Sequence, residues 1–138
     1  MKSIVIDTNV IISALKSRLG ASNKLLTFIG TKKFELNIST SLVLEYEDVM
    51  KRLLKNFTIE EIDNFLDYVC LESRHIKISY LWRPVLKDPN DELILELAVA
   101  AKADYIVTYN AKDFFGVEKF GIKTLTPKEF LQLIGEIK

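Results

Sequence analysis

Cysteine, histidine and net charge are nearly missing from this chain: one Cys, one His, and nineteen basic residues balanced by nineteen acidic ones over 138 positions. Each scarcity excludes something. A lone Cys70 cannot form an internal disulfide and suits a reducing compartment. With no net charge, the field of the whole molecule will not hold nucleic acid non-specifically, so any such binding must come from a local basic patch. No apolar run approaches membrane-spanning length, and no basic segment followed by a long apolar one opens the chain. The expected setting is the cytoplasm, with no membrane attachment. No repeat, low-complexity stretch or linker interrupts residues 1–138, which read as a single domain.

What is present is 49% hydrophobic and 28% charged, the balance of a globular protein rather than a disordered one. The organising stretch is Ser3-Ile4-Val5-Ile6-Asp7-Thr8-Asn9-Val10. Its β-branched run predicts a strand buried on both faces, central in a parallel sheet. Asp7 stands where that strand ends, and Thr8-Asn9 can cap a helix from Val10 to Lys16. Ala21 to Gly30 reads as a second helix, and Phe34 to Ile38 alternates as a half-exposed strand should. Ser39-Thr40-Ser41 opens a helix from about Leu42 to Lys55, and the capping box Thr58–Glu61 opens another through about Glu72. His75 to Ser79 is a weak strand candidate, and Leu81 to Asn90 reads as irregular around Pro84 and Pro89. Asp91 to Lys102 is apolar nearly all round and should lie buried against the sheet. A strand at Asp104–Thr108, a turn or short helix at Asn110–Phe115, a strand at Ile122–Leu125 and a helix capped by Thr126 with Pro127 at its first position complete the chain. Strands alternating with helices of this length predict a parallel α/β sheet covered by helices on both faces.

In such sheets ligands gather beyond the carboxyl ends of the strands, and that rule sorts the acids. Asp7, Glu45, Asp91 and Asp113 fall at that edge, with Asp88 beside them and Asp48 on the same helix face as Glu45. Glu35 and Asp104 begin their strands and fall at the other edge; Glu47 points to another helix face. Clustered carboxylates repel by about 1 kcal/mol per contacting pair in water and several times that when partly buried, so the cluster calls for a cation. Oxygen ligands without His or Cys suit Mg²⁺ or Mn²⁺ rather than zinc. Such an ion would lower the pKa of a bound water and steady the charge on a phosphate oxygen.

Ile4-Val5-Ile6-Asp7-Thr8-Asn9-Val10, the mid-chain Glu45, Asp91 seven residues before Ala98, and Val107-Thr108-Tyr109-Asn110-Ala111-Lys112-Asp113-Phe114 together resemble the PIN domain over nearly the whole chain, Lys2 to about Phe130. The Asp88-Pro89-Asn90-Asp91 turn resembles the branch formed by toxin components of toxin–antitoxin pairs, the VapC-type toxins. Asp-Thr-Asn alone is common; the order and spacing of four blocks are what is specific. The resemblance implies a three-layer α/β/α sandwich with a mainly parallel sheet of about five strands. It also implies a Mg²⁺- or Mn²⁺-dependent ribonuclease that cleaves phosphodiesters by hydrolysis. Asp7, Glu45, Asp91 and Asp113 would be its metal-binding and catalytic acids, supported by Thr8, Asn9, Thr108 and Asn110. Many relatives of this branch carry Asp where this chain has Asn110, so Asn110 and Asp113 share or exchange the fourth role.

Taken singly, each acid has an ordinary reading: Asp7 as a helix cap, Glu45 as a solvated helix residue, Asp91 as a first-turn acid favoured by the helix dipole, Asp113 as a turn residue. His75 reads as non-catalytic, placed away from the site edge. Cys70 reads as core filler, Tyr80 and Trp82 as packing over the core, and Lys32-Lys33 and Lys51-Arg52 as solvated faces. A receiver-like domain would want paired acids after the first strand and a late Lys, and an Asp-x-Asp phosphatase fails at Asn9. The remaining alternatives are an RNA-processing PIN nuclease without an antitoxin and a non-catalytic PIN-like binding module. The helices over Leu42–Glu72 carry Leu44, Met50, Leu53, Leu54, Phe57, Ile62, Phe65, Leu66 and Val69, more apolar surface than one small sheet face needs. Part of it is expected to form a homodimer or to receive a protein antitoxin.

Overall fold

Ile4, Val5 and Ile6 are fully buried, and they make strand β1 (Lys2–Ile6) the middle of the sheet. The computed structural model describes residues 1–78 and 86–138. On one side β1 pairs with β2 (Phe34–Ile38), which carries the two-residue β3 (Arg74–His75). On the other side it pairs with β4 (Tyr105–Val107), followed by β5 (Lys123–Leu125). All four pairings are parallel, in the order β3-β2-β1-β4-β5. The helices are α1 (Thr8–Lys16), α2 (Ala21–Thr27), α3 (Thr40–Leu53), α4 (Ile59–Glu72), α5 (Pro89–Ala101) and α6 (Pro127–Leu133). Together they form the expected three-layer α/β/α sandwich. Helix α5 crosses β1, β2 and β4, with Ile94, Leu95, Leu97 and Ala98 buried, as its apolar circumference predicts.

Local signals account for most helix starts. Thr58 and Glu61 form a reciprocal capping box at α4, and Thr126 and Glu129 form another at α6, where the sequence had suggested only the cap and the proline. Ser39 caps α3 by accepting from the Leu42 N–H at 3.2 Å. Helix α5 begins two residues before Asp91: Asp88 caps it by accepting from the Asn90 N–H, and Pro89 takes the first helical position. Pro89 therefore starts this helix rather than holding a loop open, because its missing N–H is one the first turn would leave unbonded anyway. Helix α2 stops at Thr27, and Gly30 supplies the positive φ (82°) of the turn beyond it.

Strand β2 overturns its half-exposed reading. Leu36, Asn37 and Ile38 are all buried, because neighbouring strands and helices on both faces enclose it. Asn37 is tolerated there because its amide donates to Ser3 Oγ (2.7 Å) and the Ile4 carbonyl (3.0 Å). His75 also sits elsewhere than expected. It pairs in register with Ile38, so it lies level with the carboxyl edge, but on the outermost strand with its ring against the Cys70 carbonyl. The readings of Tyr80, Trp82 and Pro84, and the end of the strand proposed to reach Ser79, lie outside the described residues. A short 3₁₀ turn, Val117–Phe120, was not anticipated. Among the described residues no helix is long and apolar enough to cross a membrane.

Candidate metal and active site

The backbone places Asp7 and Thr108 side by side. Ile6 pairs with Val107, the Asp7 N–H donates to the Val107 carbonyl (2.9 Å), and so the next residues of β1 and β4 leave the sheet together. Asp7 occupies the N-cap position of α1 yet makes no side-chain cap bond. Its Oδ2 instead accepts from the Thr108 hydroxyl at 2.7 Å, and the same Thr108 oxygen accepts from the Asn110 N–H at 3.0 Å. Asp7 is buried, and burial raises its pKa; the Thr108 and Thr8 hydrogen bonds pull it down, and Asp113 and Asp88 push it up again. Beside it the Thr8 hydroxyl is buried with no hydrogen-bond partner among the described residues.

Asp91, in the first turn of α5, lines a cleft of about 480 Å³ with Asp88, Asp113, Leu86, Lys87, Lys112 and Phe115. Its pKa is pushed up to about 6, first by burial and then by the charges of Asp7, Asp88 and Asp113. Asp113 is exposed on the 3₁₀ turn Ala111–Phe114; it lines this cleft, whereas Asn110 does not. Glu45 lies in the second turn of α3 and faces a neighbouring groove with Thr8, Asn9, Ile12, Val49 and Asn90. Burial raises its pKa, with Asp48 next and Arg52 opposing. Asp48 itself turns outward to an exposed pair with Arg52 (3.5 Å). Glu47 pairs with Lys51, Glu35 with Arg74, and Asp104 accepts from the Ser3 N–H, all away from the cleft. Asn9 meets the Tyr109 N–H only at 3.5 Å.

A family model described as PIN domain matches residues 3–112, about four-fifths of the chain. The chain belongs to the PIN domain family. One solved chain similar to it comes from the crystal structure of VapBC2 from Rickettsia felis bound to a DNA fragment from their promoter. It superposes with a TM-score of 0.62 at 18% identity, covering 89% of this chain and 98% of that one, a likeness of fold. No curated protein matches.

The donor set of this PIN domain suits a hard divalent cation. It is all oxygen, with no His or Cys lining the cleft or the groove among the described residues, and burial together with neighbouring carboxylates raises the pKa of both Asp7 and Asp91, as happens to groups short of positive charge. The unpartnered Thr8 hydroxyl adds a further oxygen beside Asp7. In spacing the acids are spread: among the described residues no three of His, Cys, Asp or Glu stand close enough to hold one ion jointly. The charges of Asp113 and Asp88 raise the Asp7 pKa, those of Asp7, Asp88 and Asp113 raise that of Asp91, and of this group only Asp88 acts on Glu45.

Two residues that sequence reasoning passed over hold this arrangement. Tyr46 is buried, and its hydroxyl donates to the Ile6 carbonyl, tying α3 to the end of β1 one residue before Asp7. Burial and the Asp7 charge push its phenol well above the usual tyrosine range. Glu92 is buried in α5, and its Oε2 accepts from the Leu86 N–H at 2.7 Å, fastening the segment that leads into Asp88. A carboxylate beside the buried Ile94 and Leu95 in a mostly apolar helix was the signal for Glu92; Tyr46 had only its place on the apolar face of α3.

Proposed function

We propose that this PIN domain is a Mg²⁺- or Mn²⁺-dependent ribonuclease that hydrolyses phosphodiesters, working as the toxin of a toxin–antitoxin pair. The observation that carries the reading is Asp7: a buried carboxylate at the end of the central strand, turned from capping to Thr108, within the field of Asp113 and Asp88 and itself raising the Asp91 pKa. Asp7, Asp91 and Asp113, too widely spaced to ligate one ion all directly, would hold it in part through its bound waters, with Glu45 completing the set and orienting the attacking water. The ion would supply a water of lowered pKa and a counter-charge for the phosphate. Thr108 and Tyr46 fix where the Asp7 carboxylate stands; Thr8, Asn9 and Asn110 shape its surroundings. The likeness to a chain of the VapBC2 complex supports an antitoxin as partner.

A homodimer belongs to the same proposal, on a smaller surface than the sequence suggested. Met50, Leu54, Ile62, Leu66 and Val69 are consumed in the core, and Phe57 and Phe65 pack against it. Leu44 (58%) and Leu53 (44%) stay exposed, joined by Ile59, Tyr68 and Leu71.

The test compares the native protein with Asp7→Asn. The variant is expected to keep its fold, melting in chelator at or slightly above the native temperature, but to cut no RNA, and Mn²⁺ is expected to raise the melting temperature of the native protein alone, through mass action on the folded state. If Mn²⁺ shifts both proteins equally, or Asp7→Asn still cuts RNA, the metal-nuclease reading fails and the binding-module alternative stands.

A further inference from the structure

Two adjacent phenylalanines in this chain have opposite fates. Phe114 is buried at 1% exposure, while Phe115 is 88% exposed and lines the cleft that holds Asp91 and Asp113. A ring left in water contributes nothing to packing, so its stacking face is free for a ligand. The same cleft carries Lys87 and Lys112, both exposed, and neither makes an ion pair among the described residues. An acidic cleft repels a polyanion, and the chain as a whole has no net charge to offset that. A ring and two unengaged ammonium groups around three carboxylates form the local patch that a neutral protein needs.

We propose that Phe115 stacks an unpaired base and that Lys87 and Lys112 hold the phosphates beside it, which makes Phe115 the residue that sets affinity for the strand in this cleft. The inference rests on the nuclease reading for the chemistry, but the platform is separable from it. A base can lie against the Phe115 ring only when it is not already stacked within a duplex.

The experiment measures fluorescence anisotropy of a short labelled oligoribonucleotide, free and annealed to its complement, in chelator so that nothing is cut. Cleavage kinetics in Mn²⁺ accompany it. Phe115→Ala should weaken single-strand binding about five- to 150-fold, the range that base–aromatic stacking supplies, and leave duplex binding unchanged. It should raise KM and spare kcat, and Phe115→Trp and Phe115→Tyr should restore both affinity and KM. Its melting temperature should match the native one, because the ring is 88% exposed. A Lys87→Gln, Lys112→Gln double variant should lower the slope of log affinity against log salt by about 1.4, at ~0.7 per single-strand phosphate. Leu19→Ala, at another fully exposed apolar residue, should change nothing. Single-strand affinity indifferent to Phe115, a fall in kcat at constant KM, or failure of Trp and Tyr to rescue overturns the platform. So does Phe115→Ala disrupting self-association while sparing RNA binding, which would make the ring a protein contact. Phe115-dependent binding without cleavage in any metal would sink the nuclease reading and keep the platform; cleavage with KM indifferent to Phe115 would do the reverse.

Discussion

Neutralising Asp91 should stabilise this PIN domain in chelator at neutral pH. Its carboxyl pKa rises from 3.8 to about 6 on burial beside Asp7, Asp88 and Asp113. A raised acid holds its proton more tightly in the folded state than in the unfolded one. Its contribution is therefore fully present below about pH 3.8 and is lost as pH rises through about 6. At full strength that displacement corresponds to about 3 kcal/mol, and solvent screening around a partly exposed side chain roughly halves it. A first-turn carboxylate is also favoured by the helix dipole, by about 0.3–1 kcal/mol, and Asp91→Asn gives that up. The net gain is about 1 kcal/mol, or about 3 °C in melting temperature for a chain of this length. Calorimetry of both proteins in chelator at about pH 7.5 and about pH 4 decides it. The variant should melt higher at the first pH and lose the advantage at the second, where the native carboxyl is already protonated. A variant no more stable at neutral pH, or equally ahead at both, would refute the claim that Asp91 is held against its neighbours' charge.

Two further variants probe how Asp7 is positioned. Thr108→Val removes the donor to Asp7 and the acceptor of the Asn110 N–H, so it should cost about 1–3 kcal/mol in a urea melt and reduce cleavage although Thr108 is proposed to hold no ion. Tyr46→Phe leaves the Ile6 carbonyl without its buried donor and should cost about 1 kcal/mol by the same measurement, with the cleavage rate falling as the end of β1 loosens.

The sheet was legible because Ile4-Val5-Ile6 and Tyr105-Ile106-Val107 are apolar runs that suit only buried strands, and both flank β-edge groups in the right order. Strand β2 was misjudged because Glu35 and Asn37 alternate with apolar residues as they would on a half-wet strand. What keeps Asn37 inside is a pair of hydrogen bonds to β1, and sequence alternation carries no record of a partner 34 residues away. The start of α5 was placed late for a similar reason: Asp88-Pro89 reads as a break unless Pro89 is recognised as a first-turn residue capped by Asp88. Edge logic correctly put Glu35 and Asp104 away from the acids. It could not foresee that Glu45 would face a groove with Asn90 while Asp91 and Asp113 line a separate cleft, so that two consecutive residues of α5 serve different hollows.

Asp7 shows why the ordinary reading of each acid and the functional one need not compete for the same residue. Its backbone takes the N-cap position, with φ −67° and ψ 146°, so a cap worth about 0.5–2 kcal/mol was within reach. The side chain makes no such bond; it turns to Thr108 from the adjoining strand and stays buried, at a raised pKa, in the field of Asp113 and Asp88. Forgoing a cap and burying a charge both oppose folding, and the hydrogen bonds from Thr108 and Thr8 offset that only in part, since burial still leaves the Asp7 pKa raised. Unfavourable local choices of this kind concentrate where a protein binds something, because the bound group returns what the fold alone does not. A capping residue would gain stability from its own helix; on the proposed metal-site reading, Asp7 would gain it only when a cation meets the carboxylates. That asymmetry is why an Mn²⁺-dependent rise in melting temperature, lost in Asp7→Asn, discriminates the two readings more sharply than activity alone.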